Sequence, residues 1–286
     1  MYKIMKKKEL NPTVTLMDIY APAVAKKAQP GQFIILRVDE QGERIPLTVA
    51  DFDREAGIVT IIFQIVGATT EKLNNLCQGD CLQDFVGPLG VPTHTTGLKK
   101  VAVVGGGVGC AIAYPVAKKL HLQGTEVHSI VGFRNKGLVI LKEEFQTVSN
   151  KLILMTDDGS AGHKGLVTDA LRQLIEGGEQ YDRVIAIGPL IMMKFVTQLT
   201  KEFSIPTIVS MNPIMIDGTG MCGGCRLSLL QDGKRVTKFA CVDGPDFNGF
   251  EVDFDEALAR GAMYRDFERR VHEETCNLFK GVEHHA

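Results

Sequence analysis

The sequence predicts an antiparallel β-barrel, then a parallel α/β sheet, then a small cysteine cage, and three observations carry that prediction. Evenly spaced β-rich runs fill the first third of the chain, and buried apolar strands alternating with amphipathic helices fill the middle. After Pro213, glycines and cysteines replace the periodicity. With 286 residues, 44% hydrophobic and 23% charged, the chain has the apolar mass for packed interiors and the length for two domains plus a small third module.

The barrel is read from the runs Val14 to Ile19, Phe33 to Val38, Arg44 to Val49, Gly57 to Gln64 and Asp80 to Val86, which Pro, Gly and Asp separate. A short helix over Ala68 to Asn75 interrupts them. Its start, Gly67-Ala68-Thr69-Thr70, offers hydroxyls and backbone N–H groups of the kind that bind phosphate. Beyond Gly97 the strands Lys100 to Val104, Thr125 to Gly132, Lys151 to Thr156, Arg183 to Ile187 and Thr207 to Met211 alternate with helices. Those helices are expected over Cys110 to Leu120, near Leu166 to Ile175 and near Leu190 to Lys201. Such alternation implies a parallel sheet covered on both faces. Pro213 to Gly249 reads as a loop-rich ligand cage. Asp253 to Phe279 reads as a charged helix, more simply a solvated helix on the body than a docking element. The expected division is residues 1–97, 98–212, 213–250 and 251–286.

Charge and cysteine usage exclude several classes. Lys plus Arg number 32 against 34 Asp plus Glu, and a net charge of -2 supplies no field for a polyphosphate backbone, so no nucleic acid is expected. The lysine-rich start, Met1 to Leu10, has no apolar stretch behind it, which argues against secretion and for a cytoplasmic location. Val101 to Ala117 is uncharged but carries glycines and Pro115, so it reads as strand, turn and helix, and no membrane span is expected. Seven cysteines cannot all pair. Cys77, Cys81, Cys110 and Cys276 are scattered; Cys77 and Cys81 could form a redox pair or ligands but read more simply as structural, as does Cys110 against the sheet, whereas Cys222, Cys225 and Cys241 crowd together and ask for a metal or redox explanation.

Gly105-Gly106-Gly107-Val108-Gly109 follows a strand and opens a helix, the setting a pyrophosphate-binding turn needs. Cys110 stands at the third-glycine position, and no acid ends the next strand. That strand closes on Gly132-Phe133-Arg134, where a base suits a 2′-phosphate and leans toward NADP; an ordinary surface loop is the plainer alternative. Two further strand-end loops, Thr156-Asp157-Asp158-Gly159-Ser160 and Gly188-Pro189-Leu190 with Met192 following, lie where a doubly wound sheet gathers its ligand.

Asp217, Cys222, Cys225 and Cys241 have the spacing D-x4-C-x2-C-x15-C, that of a plant-type [2Fe-2S] loop with Asp in place of the first Cys. Gly218, Gly220, Gly223 and Gly224 allow N–H groups to turn toward the sulfurs. Zinc is the rival, but it wants a fourth Cys or His, and His272 and Cys276 are distant. Inert thiols are the third reading. Asp217 stands either on iron, as a hard oxygen ligand, or beside a water-ligated site.

These pieces in this order resemble the ferredoxin-NADP reductase superfamily. Within it, the chain resembles the electron-transfer subunits of dihydroorotate dehydrogenase and, more closely, the small subunit of the electron-bifurcating NADH-dependent ferredoxin:NADP oxidoreductase. The run Asp-Gly-Thr-Gly-Met-Cys-Gly-Gly-Cys over Asp217 to Cys225, continued by Cys241-Val242-Asp243-Gly244-Pro245, favours the latter, since the dihydroorotate-type subunits carry four cage cysteines. The resemblance implies a Greek-key barrel binding FAD through Arg44-Ile45-Pro46-Leu47-Thr48, with Arg44 facing the flavin pyrophosphate and Thr48 bonding the isoalloxazine edge near N5. Phe63, Gln64, Gly67, Thr69 and Thr70 join that expected FAD set, Thr69 replacing a family glycine, and Gly87-Pro88-Leu89-Gly90 closes the barrel.

By the same resemblance the nucleotide is NAD(H), against the lean of Arg134. The cage holds a [2Fe-2S] cluster, and the partner in a heterodimer is a larger flavin and iron-sulfur subunit that oxidises NADPH and reduces ferredoxin. The expected function is hydride exchange between NAD(H) and FAD with one-electron relay through the cluster. Alternatives are a dihydroorotate dehydrogenase electron-transfer subunit, a sulfide- or polysulfide-reducing relative and, in another class, a zinc-stabilised nucleotide sensor.

Overall fold

Strand-forming runs in the first third and the middle of the chain build two separate sheets in the computed structural model, which describes residues 2–263. The first comprises β1 (Tyr2–Asn11), β2 (Val14–Tyr20), β3 (Phe33–Arg37), β4 (Ile45–Asp53), β5 (Ile58–Gln64), β6 (Cys81–Leu82) and β7 (Asp84–Leu89). All its pairings are antiparallel, in the order β6-β1-β2-β5-β4-β3-β7. Its two edge strands are successive in the chain, so the sheet curls into a nearly closed barrel. β3, β4 and β5 follow as neighbours and β2 lies beside β5, a Greek-key order. Helices α1 (Pro22–Ala25) and α2 (Ala68–Asn75) complete this part.

β1 was not among the expected strands. Its lysines hide the alternation, because Ile4 alone among its residues is buried. The expected strand from Asp80 to Val86 is broken at Gln83, whose N–H turns to the carbonyls of Arg37 and Val38. Inside the barrel, Met17, Ile19, Ile34, Leu36, Ile61 and Phe63 form a core of their own.

The second sheet has the order β11-β10-β9-β8-β12-β13-β16. Its strands are β8 (Lys100–Gly106), β9 (Glu126–Phe133), β10 (Lys151–Thr156), β11 (His163–Lys164), β12 (Arg183–Ile187), β13 (Thr207–Ser210) and β16 (Asp246–Asn248), only the last running antiparallel. Helices α3 (Cys110–Leu122), α4 (Lys142–Val148), α5 (Val167–Glu176) and α6 (Leu190–Glu202) cover it. α5 shows why they form: Val167, Ala170, Leu171 and Leu174 are its buried residues, one face at helical spacing. β8 is buried from Val101 onward, as a central parallel strand must be.

Pro213 to Gly249 is less irregular than expected. It contains a hairpin of β14 (Arg226–Gln231) and β15 (Lys234–Phe239), with Asp232 and Gly233 at its turn, both at positive φ. Helix α7 (Phe254–Ala262) opens the charged C-terminal segment with Asp253 as its cap, and the remainder of that expected helix, with Cys276, lies outside the described residues. Among the described residues no helix is long and apolar enough to cross a membrane.

The modules share packing. One core joins Phe33 and Ile35 of the barrel to Val104 and Val184 of the sheet and to Met215, Cys225 and Cys241 of the cage. A second joins Ala50 and Ile62 to Ala113 and Val116 of α3, and Lys118 pairs there with Asp51 at 2.7 Å.

Where the modules meet, Thr93 donates its hydroxyl to Asp246 Oδ2 at 2.6 Å, Ser210 stands opposite Asp246 in the β13–β16 pairing, and Oδ1 is buried without a partner. Burial pushes the carboxyl up to about 6. The folded state therefore binds this proton more tightly than the unfolded chain does. Its stabilising contribution is complete below about pH 4 and is withdrawn as pH rises through about 6. Asp246→Asn is expected to raise the melting temperature relative to wild type at pH 8 and to change it little at pH 5. A variant less stable than wild type at pH 8 contradicts this sign.

Candidate functional site

The order of the second sheet reverses at β8: β9 and β10 lie to one side, β12 and β13 to the other. The crevice above this switch point is where such sheets bind ligands. Gly107, Val108 and Gly109 form a single 3-10 turn leading into α3, and Gly188-Pro189 lead into α6, so the N-termini of two 13-residue helices converge there. Gly109 is required by space. A Cβ there would lie 2.6 Å from the Ile187 carbonyl oxygen and 2.7 Å from Gly188 Cα, both backbone. Met192 and Pro189 sit against Gly106, closing the crevice from the α6 side.

At the edge of the crevice, the loops after β9 and β10 are tied together. Asp157 N–H donates to the Phe133 carbonyl at 3.1 Å, and Lys136 N–H donates to Ser160 Oγ at 2.7 Å. The Ser160 hydroxyl in turn donates to Asp158 Oδ1 at 2.6 Å, and hydroxyl and backbone N–H together hold this carboxyl below the usual carboxylate range. Gly159 turns the chain between them at φ 77°. Arg134, Asp157 and Asp158 are all exposed, and Gly132 packs against Val167. The loop after β10 thus sets two carboxylates, Asp157 and Asp158, beside the end of β9, which has no acid of its own. Ser160, which fixes the Asp158 carboxyl, belongs to the strand-end loop expected at the ligand without being an expected site residue itself, and its bond from Lys136 N–H is what joins the two loops.

On the barrel, Pro46, Leu47 and Thr48 are half-buried on β4, with Thr48 paired to Phe33 of β3, and Arg44 is exposed just before the strand. Thr69 Oγ1 donates to Glu43 at 3.2 Å and so brings the first turn of α2 beside Arg44. Thr70 Oγ1 accepts the N–H groups of Val66 and Gly67 at 2.9 and 3.0 Å, so its hydroxyl caps the turn. Gln64 is exposed at the end of β5, but Phe63 is buried in the barrel core at 1% exposure, so its side chain has no access to a ligand. Gly87 and Pro88 are joined by a cis peptide in β7, and the Gly90 carbonyl accepts Gln32 Nε2 at 2.8 Å.

The cage is built on backbone N–H groups. Thr219 and Cys222 donate theirs to the two oxygens of Asp217 at 2.9 and 2.8 Å, holding that carboxyl below its ordinary range. Gly224 N–H points at Cys222 Sγ at 3.4 Å. Cys225 and Cys241 are buried with sulfurs 3.2 Å apart, whereas Cys222 is exposed. Burial and the adjoining Cys225 sulfur push the Cys241 thiol up to about 12. Such a pair is resolved when a cation takes both as thiolates.

The donors therefore form two pairs, Asp217 with Cys222 and Cys225 with Cys241, which suits a two-iron cluster with inward N–H groups. Among the described residues no three His, Cys, Asp or Glu side chains gather around a single ion position. Gly218, at φ 76°, sets the loop directly on the barrel, since a Cβ there would lie 2.7 Å from Leu89 Cδ1 and 3.0 Å from Ile35 Cδ1. The loop around Cys222 carries exposed apolar side chains, Met221 at 88% with Ile214 and Ile216 shortly before it in the chain, and Val242, also exposed, packs against Gly220.

A barrel joined to a doubly wound sheet is the ferredoxin-reductase-like fold, here with an iron-sulfur cage appended. Residues 212–253 match the iron-sulfur cluster binding domain of dihydroorotate dehydrogenase B. The chain is 47% identical, over 95% of its length and 94% of the relative's, to the dihydroorotate dehydrogenase B (NAD(+)) electron transfer subunit homolog of Thermotoga maritima. A protein of the adh 3′ region of Clostridium beijerinckii is 52% identical over 95% of this chain and 93% of its own. Among solved structures, the NADH-dependent reduced ferredoxin-NADP oxidoreductase, described for flavin-based electron bifurcation, matches with a TM-score of 0.89 and 46% identity, covering 96% of this chain and 98% of its own. The chain belongs to the family of dihydroorotate dehydrogenase B electron-transfer subunits and their homologues.

Gly109→Ala is expected to destabilise the fold by about 1–3 kcal/mol, because both atoms it would strike are backbone. Gly107→Ala meets nothing within 4 Å, although its φ of 56° is itself strained for alanine, so a smaller cost is expected. Denaturant unfolding of the two variants checks the order, and an equal or reversed order contradicts it.

Proposed function

We propose that this chain is the NAD(H)-linked electron-transfer subunit of an electron-bifurcating ferredoxin:NADP oxidoreductase, working with a larger flavin and iron-sulfur subunit that handles NADPH and ferredoxin. The observation that carries the reading is the seating of the cage, through Gly218, on Ile35 and Leu89 of the same barrel sheet that presents Thr48. FAD, when bound, exchanges hydride with the nicotinamide and single electrons with the cluster.

The chain's own work is placement. Arg44 and the first turn of α2 hold the flavin pyrophosphate, and Pro46, Leu47 and Thr48 line the ring edge. Gly106 to Gly109 and Gly188 hold the nucleotide pyrophosphate under the two converging helix ends. Asp158, preset by Ser160, reads a free ribose hydroxyl and repels a 2′-phosphate, so it outweighs Arg134 and selects NAD(H). Asp217 with Cys222 would hold one iron of the cluster and Cys225 with Cys241 the other. The apolar rim of Met221, Ile214, Ile216 and Val242 around exposed Cys222 is the docking face for the larger subunit.

The Asp in place of a fourth cage cysteine favours this reading over the dihydroorotate dehydrogenase subunit. Purified anaerobically, the chain is expected to carry one FAD and two irons with acid-labile sulfide, and to bleach with NADH well before NADPH. A colourless zinc protein contradicts the reading. Asp158→Arg is expected to narrow or reverse the NADH preference in stopped-flow bleaching; an unchanged preference moves the selection elsewhere in the crevice. Cys241→Ala is expected to lose the iron and keep the flavin.

A further inference from the structure

The junction of barrel, sheet and cage holds a carboxyl that none of these cofactor contacts uses. Asp246 opens β16, five residues beyond Cys241. Thr93 reaches it from the segment leaving the barrel and Ser210 stands opposite it at the end of β13, while Oδ1 is buried without a partner. Backbone bonds fix the same three segments: Val91 N–H to the Gly244 carbonyl at 2.7 Å and Met211 N–H to the Pro245 carbonyl at 2.8 Å.

Among the described residues no cation pairs with Asp246, and the charged groups on each neighbouring element face one another instead. On the barrel exit, His94 receives Arg183 of β12, whose guanidinium lies 3.2 Å from the His94 carbonyl. On the cage side, Asp243 pairs with Lys238 at 3.2 Å. Within β16, Asn248 donates to Glu251 at 2.8 Å, and β13 offers only the Ser210 hydroxyl, its other residues being Thr207, Ile208 and Val209. A buried carboxylate served by a hydroxyl and no cation is readily neutralised by a proton. An added electron makes the same low-dielectric interior more negative and strengthens its hold on that proton.

We propose that Asp246 is a redox-linked proton acceptor: when an electron enters the interior between barrel, sheet and cage, the carboxylate takes one proton from solvent onto Oδ1, and it returns the proton when the electron leaves. This rests on the cofactor reading above. The balance is one electron, delivered from reduced nucleotide by way of the flavin, and one proton; an O–H bond of hydronium breaks as the O–H bond on Asp246 forms, and the reverse transfer restores hydronium when the electron leaves. Burial has already pushed this carboxyl up to about 6, so uptake falls near neutral pH.

The test is a redox titration of the cluster, followed by electron paramagnetic resonance, on the full chain with FAD and iron bound, from about pH 5 to about pH 8. The wild-type potential is expected to fall as pH rises above about 6, with a limiting slope of about 59 mV per pH unit for one electron and one proton. Asp246→Asn is expected to be flat. Thr93→Val removes a donor to the ionised form and is expected to move the sloping region to higher pH, and it decides the matter alone if the Asn variant does not fold. A flat wild-type potential with both cofactors bound overturns this proposal and leaves the cofactor reading standing, as does a slope that survives in Asp246→Asn. Absence of flavin and iron from the wild type overturns both.

Discussion

The close seating of the cage loop on the barrel is the constraint on which the rest of this structure depends. Gly218 approaches Ile35 and Leu89 so closely that a Cβ there would press on the ends of both side chains, and its φ of 76° itself favours glycine. β3 and β7, which carry those two residues, are neighbours, and β3 also pairs with the strand bearing Thr48. The cage thus shares a wall with the part of the barrel that presents Thr48 rather than hanging from a linker. The common core running from Phe33 through Val184 to Cys225 and Cys241 makes that wall continuous with the sheet. Electrons pass efficiently only across short, fixed separations, and close-packed side chains hold those separations more rigidly than a hinge would.

Two carboxylates near the cage are tuned in opposite directions by simple means. Asp217 receives backbone N–H groups on both oxygens and is held ionised, ready for a cation. Asp246 receives the Thr93 hydroxyl on Oδ2 and nothing on Oδ1, and is pushed toward the neutral form by burial. The contrast follows from position. Asp217 sits in a loop whose amides have no sheet to pair with, whereas Asp246 enters a sheet edge covered by the barrel exit. At the other end of the crevice, Asp158 repeats the first device with Ser160.

Much of this was legible in the sequence because the signals were periodic or local. The alternation of strands and helices after Lys100 announced the parallel sheet, and the D-x4-C-x2-C-x15-C spacing announced the cage. What stayed hidden depended on partners far along the chain. β1 reads as a solvated lysine run because its pairing with β2 buries only Ile4. The β14–β15 hairpin was masked by the surrounding glycines and by the charged residues of β15. Phe63 looked like part of a ligand edge, yet the pleat of β5 sends it inward. Neither the Asp246 junction nor the Ser160 clasp carries a local motif, since each joins segments that only the fold brings together.

The central claim is that barrel, nucleotide crevice and cage act as one path in this chain. The most direct measurement is low-temperature electron paramagnetic resonance of the isolated chain after mixing with NADH, before and after reversible removal of FAD. The account predicts the signal of a reduced [2Fe-2S] cluster with FAD bound, its loss when FAD is stripped, and its return when FAD is restored. Cluster reduction by NADH without flavin, or no signal with FAD and iron both present, would contradict it.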